Sequence, residues 1–171
     1  GAAGAFDLLE TTTLTTSATS VTFSGLGAYS DYKHLQIRAV MQDTSAGTNL
    51  EVVGMQFNGD TSSVYSRHTL LGNGSSVVSD STTSFASILI VGAAGRESNI
   101  FGASVIDILD FSSASKNTTL RALTGGNASA AQTIALSSGG YFNTDAITST
   151  TLIARGTAFA IGSRFSLIGI K

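Results

Sequence analysis

Through most of this sequence apolar and polar residues alternate one for one, and helical spacing of apolar residues is nearly absent. Period two is the repeat of a pleated strand, whose successive side chains point to opposite faces. A chain written this way buries its apolar half only by building sheets. In the stretch Lys33 to Met41, Leu35, Ile37, Ala39 and Met41 share one face and belong to the core, while His34, Gln36, Arg38 and Val40 share the other. The same reading places strands at Phe6–Leu14, Ser20–Ser24, Lys33–Gln42, Leu50–Phe57, Val64–Leu71, Phe85–Val91, Ile100–Leu109, Thr118–Thr124, Gln132–Leu136, Ala146–Ala154 and Arg164–Ile170.

Proline is absent and glycine numbers 19, so turns must come from residues that enter positive φ cheaply rather than from a ring-locked φ. Asn58-Gly59-Asp60, Gly72-Asn73-Gly74, Gly125-Gly126-Asn127 and Gly139-Gly140 are read as turns, the first as a tight hairpin in which Asp60 caps local amides. Many short strands at this spacing predict an all-β fold: a single antiparallel β-sandwich, jelly-roll-like, over residues 6–171. Residues 1–5, Gly-Ala-Ala-Gly-Ala, carry neither the basic nor the apolar region of a signal peptide and are read as a flexible arm anchored by Phe6. At 171 residues one domain buries roughly 70% of the surface its unfolded form exposes.

Charged residues make up only 12% of the chain, and Ser/Thr runs such as Thr11–Thr13, Ser79–Ser84 and Thr148–Thr151 supply its polarity instead. A net charge of −2 without a basic cluster offers no footprint for a phosphate backbone, so nucleic acid is not expected as a partner. The longest apolar run, Ile88 to Ala94, is strand length, so no membrane span is expected. No cysteine is present, which excludes disulfides and thiolate metal sites.

Candidates for chemistry are few. His34 and His68 could each be combined with Asp107 and a serine into a triad, but no Gly-x-Ser-x-Gly elbow frames a serine, and both histidines are read as hydrogen-bonded strand residues. Two carboxylates across a bond are the signature of glycoside hydrolysis, and the pairs to consider are Asp107 with Asp110 and Glu51 with Asp60. Asp107 and Asp110 are three apart on a strand, hence on opposite faces, and are assigned structural roles. The loop Asn58 to Ser62 offers oxygen atoms to a calcium ion but lacks the acidic spacing of a calcium loop. Tyr29, Tyr32, Tyr65, Tyr141 and Phe142 could form a platform for sugar rings, although core packing with hydroxyls at the rim is the stronger reading. The sequons at Asn73, Asn117 and Asn127 are discounted as chance products of a Ser/Thr-rich chain. No catalytic residue, cofactor or metal is therefore assigned.

The run Val105-Ile106-Asp107-Ile108-Leu109-Asp110 is apolar on both faces, as expected of a strand covered on both sides by a second sheet or a neighbouring subunit. Together with Tyr32-Lys33-His34-Leu35-Gln36-Ile37-Arg38, Phe57-Asn58-Gly59-Asp60-Thr61, Tyr65 to Gly74 and Phe165 to Lys171, and in this order from Glu10 onward, it resembles a β-sandwich domain of phage structural proteins, found in tail fibres and appendages of marine and environmental phages. The resemblance implies a non-enzymatic virion protein on a capsid surface or tail, with other phage capsid or tail proteins as partners. Joined to the low charge, it implies a homo-oligomer, with a trimer as the expected stoichiometry. A carbohydrate-binding module that recognises a host surface glycan is the alternative, and a polysaccharide-degrading enzyme comes third.

Overall fold

The computed structural model describes residues 4–46, 50–94, 99–128 and 131–171. Among these residues twelve strands are formed: β1 (Phe6–Thr13), β2 (Ser20–Ser24), β3 (His34–Met41), β4 (Leu50–Phe57), β5 (Tyr65–Gly72), β6 (Val77–Phe85), β7 (Ile88–Ala94), β8 (Gly102–Leu109), β9 (Thr118–Ala128), β10 (Ala131–Tyr141), β11 (Ser149–Ala154) and β12 (Arg164–Ile170). Every pairing between them is antiparallel. They make an eight-stranded sheet in the order β1-β12-β3-β8-β9-β10-β5-β6 and a four-stranded sheet in the order β2-β11-β4-β7.

That order contains a jelly roll. Strands β1, β12, β3 and β8 face β2, β11, β4 and β7, and consecutive strands of this set alternate between the sheets except β4 and β7, which pair within the smaller one, as in two interlocked Greek keys. Two hairpins are added to it. β5–β6 lies between β4 and β7 in the chain, β9–β10 lies between β8 and β11, and side by side they widen the larger sheet. The core fills the space between the sheets with alternate residues of each strand: Leu35, Ile37 and Met41 of β3, Ile106 and Ile108 of β8 and Phe165 and Leu167 of β12 meet Phe23, Met55, Phe57, Ile88, Ile90 and Leu152 from the opposing sheet. The face of β3 read as core from the alternation is buried throughout.

Several boundaries differ from expectation, each for a physical reason. β6 falls on a Ser/Thr run that shows no alternation, because almost every residue of this strand is exposed on both faces. Gly125, Gly126 and Asn127 lie inside β9, and Gly139 and Gly140 inside β10, rather than in turns. Glycine is needed at 139 because a Cβ there would lie 2.5 Å from Ile88 Cγ2 of the facing sheet. β11 begins at Ser149, not Ala146, since the preceding segment is pinned to a corner described below. Asn58-Gly59 makes a tight turn, yet it joins strands of different sheets and is therefore a corner, not a hairpin. Residues 1–3 of the expected arm lie outside the described residues, and the Ala5 carbonyl accepts the Lys171 amide at 3.2 Å. Among the described residues no helix is long and apolar enough to cross a membrane.

Candidate functional site

His34 opens β3, and its Nδ1 accepts the backbone N–H of Asp110 at 2.9 Å. Asp110 stands at the end of β8 with φ 50, its carboxyl ion-paired to Lys116 and held below its ordinary range chiefly by that hydrogen bond. His68 sits exposed on β5, opposite Ser138 of β10 and Ser81 of β6. Asp107 is engaged by Gln36 Nε2 at 2.8 Å and Arg121 Nε at 2.9 Å, so it orients neither histidine. The other carboxylate pair is also apart, because Glu51 lies near the start of β4 and Asp60 in the turn beyond its end, roughly 20 Å away at the rise of a strand. Among the described residues no three His, Asp or Glu side chains group in a way that could hold a metal ion.

The corner after β4 gathers the remaining polar candidates. Asn58 and Gly59 take φ 54 and 66, and the Asp60 amide donates to the Phe57 carbonyl at 2.9 Å, the mirror-image turn that Asn-Gly favours. The Asn58 side chain donates to the Ala146 carbonyl and accepts the Thr148 amide, stapling the corner to the approach to β11. Asp60 spends both carboxylate oxygens locally, Oδ1 on the Ser62 amide and hydroxyl and Oδ2 on the Tyr141 hydroxyl. The Ser62 bonds, first among causes, hold its pKa below the ordinary value. This leaves the loop a capped turn with its acidic oxygens already engaged, not an open set of calcium ligands.

The tyrosines do not converge on a surface. Tyr65 and Tyr141 are buried and stacked with centroids 4.9 Å apart, and Phe57 packs on both. The Tyr65 hydroxyl accepts the Phe57 amide at 3.0 Å and donates toward the Phe57 and Asp60 carbonyls, and burial pushes its pKa upward. Burial and the Asp60 carboxylate push Tyr141 up to about 12. Tyr32 and Tyr29 donate to Asp7 and Glu10 of β1. Tyr32 lies flat against the backbone where Gly169 carries no side chain, since a Cβ there would come within 2.6 Å of the ring. Of the five aromatic residues only Phe142 is largely exposed.

The surface that sequence reasoning missed is the outer face of the large sheet. Registers place Val105, Leu123, Leu136 and Leu70 directly opposite one another across β8, β9, β10 and β5, and all four point to solvent. The next row runs Val40, Ala103, Gly125, Ile134. Leu70, Leu123 and Leu136 are each about half exposed, whereas their inward neighbours Thr69, Ala122, Thr124, Ala135 and Ser137 are buried. The usual pattern is inverted here. β7 approaches β9 and β10 so closely that small and hydroxyl residues fill the interior, satisfied by the pairs Thr69–Ser137 and Ser104–Thr124, each 3.1 Å. A groove of about 860 Å³ crosses this face, with Ala103, Gly125 and Ser166 on its floor and Phe6, Leu8, Val40, Val105, Leu123 and Ile134 along its walls. Arg38 stacks over the Phe6 ring, 5.0 Å from its centroid. The signal in the sequence was the size contrast within these strands, large residues on one parity and small or hydroxyl residues on the other.

Fold and surface together define a class: a jelly-roll-like β-sandwich that displays an apolar sheet face to solvent. No family model matches this sequence, and a search of curated proteins returned no match. Among solved structures the chain is similar to the exo-inulinase from Aspergillus awamori, with 12% identity and a TM-score of 0.40. The alignment covers 97% of this chain but only 29% of the exo-inulinase chain.

Proposed function

We propose that this chain is a non-enzymatic structural protein of a bacteriophage particle, a capsid-surface or tail component that works by associating with copies of itself and docking on other virion proteins. The carrying observation is the inverted outer face, where Val105, Leu123, Leu136 and Leu70 form an unbroken apolar row across four strands. An apolar surface of this extent marks a contact site more often than an idle surface. Beside it the charged pair Asp107–Arg121 is mutually satisfied, while among the described residues Arg38, opposite Val105, and Arg164 line the groove without an ion pair, so a partner covering this face must meet two cations. The phage assignment itself rests on the resemblance of the segments from Tyr32 to Lys171. A sugar-binding reading draws less support, because stacking on a pyranose needs exposed rings and Tyr65 and Tyr141 are in the core.

The test is made on particles. An antibody to this chain should label purified phage at regular positions on the capsid or tail, and Leu123→Asp with Leu136→Asp should abolish incorporation while the isolated domain keeps its fold. Absence of the chain from purified particles refutes the virion reading. Unchanged incorporation of the double variant refutes the role of the face.

A further inference from the structure

The groove on the outer face has two chemically different ends. From β12 to β10 it crosses four strand spacings of about 4.8 Å, roughly 19 Å in all. One end is cationic. Arg164 stands opposite Val40 and Arg38 opposite Ser166, which makes the two arginines diagonal neighbours on one face of β12 and β3, about 7–8 Å apart at the backbone. Arg38 is held in place by the Phe6 ring beneath it and by Gln36 Oε1, which accepts its Nε at 3.0 Å. Among the described residues neither arginine is ion-paired, and like charges this close repel until an anion lies between them. The other end is apolar, walled by Val105, Leu123 and Ile134 over a floor that contains Gly125 of β9. The fold does not ask for glycine there: its φ is not left-handed, the pairing on both sides runs without a shift, and a Cβ would meet nothing within 4 Å. Glycine inside a regular strand weakens it, and occurs where another chain or a ligand approaches the backbone closely.

We infer that this groove seats an acidic amphipathic helix of another protein, with its apolar residues over Gly125 and Ala103 and its carboxylates between Arg38 and Arg164. This rests on the docking role proposed above and names the chemistry of the partner. Three other occupants fit less well. Strands β12, β3, β8, β9 and β10 are each paired on both sides, so their backbone groups are committed, and an extended segment laid over them would bury its own N–H and C=O groups unmet. A helix meets those groups internally, and about 13 of its residues cover the groove at a rise of about 1.5 Å each. A small amphiphile would answer the cations, but the groove is open along its length, whereas a small ligand needs most of its surface enclosed. The outer face of a second copy brings no free carboxylate, because Asp107, the carboxylate of that face, is held by Gln36 and Arg121. Leu136 and Leu70 lie beyond the groove and remain available for contact between copies.

The full chain is titrated with a dye-labelled peptide of roughly four helical turns, with leucines at helical spacing and glutamates flanking them. Fluorescence anisotropy should show binding, and circular dichroism should show that the peptide gains helix as it binds. The same peptide with Lys in place of Glu should bind about tenfold more weakly. Arg38→Gln with Arg164→Gln should erase that preference. Gly125→Phe fills open space and should keep the thermal midpoint of the fold, yet abolish binding. On particles it should be left out as the Leu123→Asp, Leu136→Asp variant is. No binding at millimolar peptide, equal binding of the two peptides, binding without a gain of helix, or Gly125→Phe binding as wild type does would each overturn the inference. If the peptides behave as expected while purified particles lack the chain, the inference stands and the virion reading falls. If the aspartate variant is excluded from particles but Gly125→Phe is incorporated, the face docks and the groove inference falls.

Discussion

Replacing Tyr65 by Phe removes one oxygen and nothing else from the most constrained corner of the molecule. The ring keeps its stack on Tyr141 at 4.9 Å and its contact with Phe57, so no cavity opens. What is lost is the acceptor of the buried Phe57 amide, 3.0 Å away, and the donor to the Asp60 carbonyl, 2.9 Å away. The Phe57 carbonyl retains the Asp60 amide at 2.9 Å and is not orphaned. A buried donor or acceptor left without a partner costs about 1–3 kcal/mol. The Asp60 carbonyl lies near the surface and recovers part of its loss from water, so the sum is about 2–3 kcal/mol. For a domain of this size that lowers the unfolding midpoint by roughly 5–10 °C. Thermal unfolding followed by circular dichroism, with wild type and variant at the same pH and concentration, measures it directly. Tyr141→Phe serves as the reference, because its hydroxyl reaches a carboxylate that water can also serve, and its cost should be smaller. A Tyr65→Phe midpoint within 2 °C of wild type, or a larger loss for Tyr141→Phe, would refute the claim that the Tyr65 hydroxyl holds the corner.

Gly139→Ala places a methyl against the stiff, branched Ile88 side chain, and overpacking of this kind should cost about 1–3 kcal/mol in chemical denaturation; an unchanged midpoint would mean that the sheets can part at no cost. Tyr141 is raised from 10.0 to about 12 in the fold, chiefly by burial, so its contribution is complete below pH 10 and is lost as pH climbs from 10 toward 12. Alkaline titration of stability should show that decline in wild type and a shallower one in Tyr141→Phe. Asp60 is shifted the other way, below its ordinary 3.8, chiefly by the Ser62 hydrogen bonds; stability should therefore fall as pH drops below about 4, and Asp60→Asn should flatten that limb. Equal acid limbs for the two proteins would show that the Asp60 carboxylate is not held by the corner.

The sequence by itself determined the class of the fold, because period-two alternation leaves an antiparallel sheet system as the way to bury half the residues, and a strand such as β3 declares its inner face in its own letters. Asn58-Gly59 likewise announced its turn, since few pairs take two positive φ values cheaply. Which strands the turn joins was decided elsewhere, by the packing of β4 and β5 into opposite sheets. Tertiary contact also decided the glycines of β10, where Ile88 rather than a turn demands the missing side chain, and the strand character of β6, whose residues meet solvent on both faces and so carry no alternation to read. It decided the outer face above all. Alternation sets Leu123 apart from Ala122 and Thr124, and Leu136 apart from Ala135 and Ser137, but only the packing of β7 against β9 and β10, where those small residues are buried, says that the leucines' side is the outer one.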